Sequence, residues 1–360
     1  MTGVIGTLTA AQILANMDKK QVVVITGASA GVGRATARAF GRTGAFVGLI
    51  ARDEQRLEAT RREIEDLGGR ALVLPADVAD ARAIEAAAER VDRELGPIDV
   101  WINNAMTTVF SPFDKITPDE FRRATEVTYL GYVYGTMAAL KRMKPRDCGV
   151  IVQVGSALAH RSIPLQSAYC GAKHAIVGFT DSLRSELLHD GSSVELTVVN
   201  LPALNTPQFE WSRSRLPRQP QPVPPIFQPE VAADAIVWAS RHPRREVNVG
   251  FPTEVAILAQ KIAPGVADRY LARTGYDSQQ TSEPVRPYRP DNLFRAVPGD
   301  FAAHGRFDSR AHRVSVQFWL RKHARSLIMT GAAVAFGLVI QTLDRRKGRD
   351  SLRRQTSLAS

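Results

Sequence analysis

"VVVITGASAGVGRATARAF" (22–40) sets a run of β-branched residues before three glycines and a helix-forming stretch after them. The run Val22–Thr26 has no polar alternation, so it predicts a strand buried on both faces. Gly27, Gly31 and Gly33 let the backbone turn tightly and approach an anionic group closely. A helix beginning there would add N–H groups and the positive end of its dipole. The spacing G-x-x-x-G-x-G differs from the commoner G-x-G-x-x-G. Glycines alone mark many ordinary turns; the strand before them and the helix after them make this a phosphate loop.

Working outward, the same two textures alternate as far as residue 201. The apolar runs "FVGLIA" (46–51), "ALVLPA" (71–76), "DVWINNA" (99–105), "GVIVQVG" (149–155) and "ELTVVNL" (195–201) read as strands. Helical stretches such as "DEQRLEATRREIEDLG" and "ARAIEAAAERVDRELG" separate them and stop at glycine. Strict alternation predicts an α/β fold with a doubly wound parallel sheet, helices covering both faces. From residue 207 a proline-dense stretch, "RLPRQPQPVPPIFQPE", excludes regular helix. A helix at "PEVAADAIVWASRHP", a strand at "EVNVG" and a closing helix over 254–274 follow. Residues 275–310 read as a Pro/Arg-rich linker and 1–19 as an N-terminal extension, leaving 20–274 as a single catalytic domain.

The net charge of +11 is concentrated in 311–360, where ten Lys/Arg face two Asp. The excess thus belongs to a C-terminal extension, and no nucleic-acid motif accompanies it. Within that tail, "SLIMTGAAVAFGLVIQTL" (326–343) carries no charge and approaches the length of a membrane helix. Membrane association through 311–343 is therefore expected, with the catalytic domain cytoplasmic, because the N-terminus lacks a basic region followed by an apolar run. Two cysteines, Cys148 and Cys170, form neither a disulfide framework nor a metal site.

The second strand runs into "LIARDE". A carboxylate at its end would take the ribose hydroxyls of NAD, whereas Arg52 suits the 2′-phosphate of NADP. NADP(H) is thus preferred over NAD(H), with Ser29 assisting. Downstream, "SALAHRSIPLQSAYCGAK" (156–173) sets Ser156 after a strand and places Tyr169 and Lys173 one helical turn apart. An ammonium beside a phenol would draw its pKa down from about 10.

Taken together, "TGASAGVG" (26–33), "NNAM" (103–106), Ser156 and "YCGAK" (169–173) resemble the short-chain dehydrogenase/reductase family over residues 20–260. The resemblance implies a Rossmann-like sheet, a nicotinamide cofactor, a Ser–Tyr–Lys site and a homodimer through helices near 118–140 and 169–188. It implies that Asp77 and Val78 hold the adenine and that Asn103 and Ala105 lie along the ribose. Lys173 would meet the nicotinamide ribose, and Thr206 the carboxamide. Gly27, Ser29, Gly31, Val32 and Gly33 would take the phosphates. Met106 replaces the usual glycine, Leu201-Pro202 the usual Pro-Gly, and Thr128 stands where the family has a water-holding asparagine. His160, Phe209 and Trp211 are candidates for the substrate pocket, with Phe227 in the same proline-rich cap. The expected activity is interconversion of a carbonyl and a secondary alcohol, on a hydrophobic small molecule. The competing reading is a membrane-tethered cofactor-binding sensor or scaffold, supported by Thr128.

Overall fold

In the computed structural model of the protein, residues 20–286 and 288–324 are described. The N-terminal extension (1–19) and the uncharged stretch 326–343 lie outside them. Among the described residues no helix is long and apolar enough to cross a membrane. One compact unit extends to Ser315 and another begins at Val316.

The first unit contains seven parallel strands: β1 (Val22–Thr26), β2 (Phe46–Ala51), β3 (Arg70–Pro75), β4 (Val100–Asn103), β5 (Val150–Val154), β6 (Glu195–Asn200) and β7 (Glu246–Asn248). Their order across the sheet is β7-β6-β5-β4-β1-β2-β3. Between them run α1 (Gly31–Gly41), α2 (Glu54–Asp66), α3 (Ala81–Glu94), α4 (Pro118–Thr125), α5 (Gly131–Met143), α6 (Ser167–His189) and α7 (Pro229–Arg241). This is the Rossmann-like, doubly wound sheet anticipated from the alternation. The strand order reverses between β1 and β4, so a crevice opens above the carboxyl ends of those strands.

Local chemistry fixes the helix starts. Asp53 caps α2 by accepting from Arg56 N–H at 2.9 Å, and Asp80 caps α3 through the N–H groups of Arg82 and Ala83. Thr117 and Glu120 form a reciprocal capping box on α4, with Pro118 in its first turn.

Two expectations change. The closing helix is two helices, α8 (Phe251–Ile262) and α9 (Pro264–Thr274), because Pro264 lacks the N–H that would continue α8. The linker-like composition of 275–310 conceals a packed segment. Gln280–Pro284 pairs with Arg218–Pro220, and Ile226–Phe227 pairs with Ala311–His312. Leu293, Val297, Ala303 and Phe307 are buried.

At the centre of the sheet lies a polar knot. Asn103 is fully buried; its Oδ1 accepts from Trp101 Nε1 at 2.8 Å. Its Nδ2 donates to Gln153 Oε1 at 2.9 Å, Thr136 Oγ1 at 3.1 Å and Tyr132 O at 3.3 Å. The knot fastens α5 onto β4 and β5, and it excludes any side chain at Gly135, whose Cβ would fall 2.2 Å from Asn103 Oδ1. Replacing Asn103 by Ala strands the buried Trp101 Nε1 and Gln153 Oε1 and leaves a cavity, so urea unfolding should report a loss of about 3 kcal/mol. A loss under about 1 kcal/mol would show that the knot contributes little.

Candidate active site

The glycine loop is a cradle made by exclusion. Gly27 and Gly31 take positive φ values of 69° and 54°. A Cβ on Gly27 would lie 2.8 Å from Ala105 Cα, and one on Gly33 would lie 2.1 Å from the Gly27 carbonyl oxygen. Helix α1 therefore abuts the end of β1, and no side chain caps its N-terminus at Ala30. The N–H groups of its first turn are then available to an anion or to another backbone.

Above this loop is a cavity of about 170 Å³. Gly27, Ser29, Gly31, Val32, Arg52, Asp77, Val78, Ala105 and Thr206 all line it. Gly33 lies behind the loop. Asn103 is a correction: it belongs to the buried knot, and Asn104 faces the cavity instead. Asn104 is held there by donating from Nδ2 to Thr26 O at 2.9 Å. Asp77 accepts an ion pair from Arg123.

Arg52 shows what the cavity can hold. Its Nη2 donates to Asn292 O at 2.5 Å, while Nη1 is buried without a partner. Burial also draws this guanidinium below its usual range, with Asp77 opposing. A buried, unsatisfied donor on a cationic wall fits a phosphate, and the glycine cradle fits the close approach of a pyrophosphate. The residues present therefore fit a dinucleotide.

A second cavity, of about 260 Å³, contains Ser156, Tyr169 and Lys173. Val32, Asn104, Met106, Thr206 and Gln208 line both cavities, so the two meet there. Ser156 follows β5 and accepts from Leu158 N–H at 3.1 Å, which leaves its own proton to donate. Tyr169 and Lys173 share one face of α6, with Nζ 5.6 Å from the Tyr169 ring centroid.

The expected electrostatics need revision. Burial raises Tyr169 well above the usual phenol range, and only a hydrogen bond from Ser156 opposes it. Burial lowers Lys173 to about 7. Desolvation thus pushes both groups toward neutrality and outweighs the ammonium's pull on the phenol. Lys173 is held by Val154 O at 2.7 Å and by Tyr132 Oη at 2.9 Å. Tyr132 in turn donates to Val154 O at 3.0 Å. The sequence motifs do not single out Tyr132. Its signal was a buried-face tyrosine one turn after Thr128, whose hydroxyl needs a partner.

Thr128 is a further correction. It is fully buried, donates to Thr107 O at 2.8 Å and accepts from Thr107 N–H at 3.0 Å. Its hydroxyl fastens the loop after β4 and lines neither cavity. Among the pocket candidates, Phe209 lines the second cavity. Trp211 instead lines the dinucleotide cavity, its ring 4.7 Å from that of Phe301. Phe227 packs against His312. His160 lies outside the second cavity, 3.5 Å from the Glu246 carboxylate, beside Arg161 and Asp268 in a separate depression.

A glycine cradle at a β1/β4 switch point, joined to a Ser–Tyr–Lys cavity, defines an α/β oxidoreductase that works on a nicotinamide dinucleotide. A family model described as short chain dehydrogenase matches residues 21–216, and the chain belongs to that family. It is 32% identical to the uncharacterized oxidoreductase YxnA of Bacillus subtilis, over 89% of each chain. It is 31% identical to the 3-dehydrosphinganine reductase of Danio rerio, over 60% of this chain and 67% of that one. It is 30% identical to a fatty acyl-CoA reductase of Acinetobacter baylyi, over 69% of this chain and 82% of that one. A short-chain dehydrogenase structure from Streptomyces avermitilis superposes with a TM-score of 0.61 at 24% identity, covering 73% of this chain and 99% of that one.

Lys173 provides a test that needs no substrate. Its folded pKa of about 7 lies below the ordinary 10.5, so the unfolded chain binds more protons between those values. The penalty for burying the lysine is complete below about pH 7 and is relieved as pH rises toward 10.5. A Lys173→Met variant removes that penalty. Its stability relative to the parent should therefore fall steadily from pH 7 to 10, measured by urea unfolding; a pH-independent difference would mean that the lysine is not buried in this way.

Proposed function

We propose that the protein is an NADP(H)-dependent oxidoreductase that interconverts a carbonyl and a secondary alcohol on a hydrophobic small molecule. The observation that carries this reading is the junction of the two cavities. Ser156 and Tyr169 stand on one side of it, and Arg52, with an unpaired buried Nη1, stands on the wall of the other.

In the reductive direction Tyr169 donates its proton to the carbonyl oxygen. Its raised pKa keeps the phenol protonated, which is the form that this step needs. Ser156 takes the Leu158 N–H on its oxygen and directs its own proton to the substrate oxygen or to Tyr169. Lys173 is held by Tyr132 and Val154 at the inner end of the cavity, where it can carry or release a proton near neutral pH. Bound nicotinamide supplies the hydride, or accepts it in the oxidative direction. The preference for NADP(H) rests on Arg52, which offers a forked cation where a carboxylate would select NAD.

Leu204, Phe209 and the run Pro222, Val223, Pro224 and Pro225 give the second cavity an apolar wall. It offers few polar partners, which favours an apolar substrate. Two relatives are named for the reduction of 3-dehydrosphinganine and of a fatty acyl-CoA, in agreement with that preference. Thr128, the support for a sensor or scaffold role, is committed to the Thr107 backbone and takes nothing from the Ser–Tyr–Lys cluster.

A panel of long-chain and aromatic ketones and aldehydes, assayed with NADPH and NADH in parallel, tests the reading. Tyr169→Phe should lower kcat by roughly 10²–10⁴-fold while NADPH binding persists. Retention of an identified activity by this variant would rule out the catalytic role. Arg52→Asp should move the NADPH/NADH preference toward NADH by roughly 10–100-fold. An unchanged ratio would place the 2′-phosphate elsewhere.

A further inference from the structure

The family match ends at residue 216, yet the dinucleotide cavity has a wall contributed from beyond residue 288. Asn292 and Ala296 line that cavity together with the glycine loop. We propose that residues 289–308 are a cofactor-binding strap, which orients Arg52, closes the dinucleotide cavity and must lift for the cofactor to exchange. The proposal rests on the dinucleotide reading above and extends it to residues outside the family core.

The strap is tied down along its length. At its start, Arg289 donates to the carbonyls of Glu210 at 2.6 Å and Phe209 at 2.5 Å. Asp291 accepts from Arg213 Nε at 2.9 Å, and Arg213 also reaches the buried Glu120 at 2.8 Å. Over the adenine end, three arginines donate to strap carbonyls: Arg52 to Asn292, Arg123 to Leu293 and Arg56 to Val297. Over the phosphate loop, Asp300 pairs with Arg34, the residue after Gly33, and Ala302 O accepts the Gly31 N–H at 3.1 Å. At the far end, Asn205 accepts from Gly305 N–H at 3.2 Å through its carbonyl and from Phe307 N–H at 3.0 Å through its side chain.

The attachments have a pattern that a merely packed tail would not need. Arg34, Arg56 and Arg123 each carry another ionic partner: Glu63, Asp53 and Asp77 respectively. Arg52 forms no ion pair among the described residues; the Asn292 carbonyl holds one side of its fork and Nη1 remains buried and unpaired. The strap thereby holds one side of a guanidinium whose residue lines the cavity. It also faces solvent with its other side, since Phe294 and Arg295 are exposed while Leu293 and Val297 are buried. A dinucleotide seated on the glycine loop would lie beneath it, so exchange requires the Arg34–Asp300 and Gly31–Ala302 ties to open.

The test uses the full chain with NADPH as probe. In Asp300→Ala, Arg34 keeps Glu63, so the fold should survive, which melting verifies. Dissociation of NADPH, followed by stopped-flow fluorescence on displacement, should be at least about 10-fold faster than in the parent. In the unaltered protein, saturating NADPH should slow tryptic cleavage after the exposed Arg295 by about 5-fold or more, because bound cofactor holds the strap down. A dissociation rate within about twofold of the parent, or cleavage indifferent to NADPH, overturns the strap while leaving the functional reading intact. A chain that binds neither NADPH nor NADH overturns both.

Discussion

The carbonyl oxygen of Gly27 occupies the place where a side chain on residue 33 would begin, with 2.1 Å between them. This close approach lets α1 start against the end of β1, and much of the site depends on it. Because α1 begins there, its uncapped first turn faces the crevice between β1 and β4. Because the crevice lies at the reversal of strand order, β5 and α6 can bring Ser156, Tyr169 and Lys173 to its edge. Crowding on the other side, from Ala105 and Asn104, leaves Gly27 equally constrained. The loop is thus rigid by exclusion, a property suited to holding a pyrophosphate without reorganisation.

Within the second cavity the dominant force is desolvation rather than charge pairing. Lys173 is 2% exposed and finds only neutral oxygen partners, from Tyr132 and Val154. That environment lowers its pKa to about 7, while burial raises that of Tyr169. The ordinary expectation from i, i+4 spacing, an ammonium that acidifies a phenol, is outweighed because neither group meets enough water or countercharge to stay ionised. A lysine poised near neutrality can exchange a proton in either direction, so Tyr132, by holding it, becomes part of the site through a contact that spacing alone did not reveal.

How much of this was legible depended on whether a feature was written in side-chain pattern or in backbone contact. The strands were legible because burial on both faces demands uninterrupted apolar runs. Ser156, Tyr169 and Lys173 were legible because their spacing matches a strand end and a helical turn. Asn103 and Asn104 were not separable, since successive residues at the end of β4 point to opposite sides and either could face the crevice. Trp211 and Phe209 lie in one helical turn, yet they serve different cavities. The strap was illegible for a more general reason. It is held largely through backbone C=O and N–H groups, which carry no side-chain pattern, so its Pro/Arg-rich composition resembles that of a solvated linker.

The arginines around the dinucleotide cavity differ in how far the fold satisfies them. Arg34, Arg56 and Arg123 have carboxylate partners and also grip strap carbonyls or carboxylates, so their charge is spent on structure. Arg52 has a strap carbonyl on one nitrogen and no partner on the other. An unsatisfied buried donor is costly, and a ligand that reached it would offset that cost. Of these four cations, Arg52 at the end of β2 is the one without a carboxylate partner, and it keeps a buried Nη1 unpaired, as Arg56 does its Nε. In the proposed reading, selectivity for a phosphorylated ribose would rest on the place of Arg52 at the end of β2, free of a carboxylate partner, rather than on the total positive charge nearby.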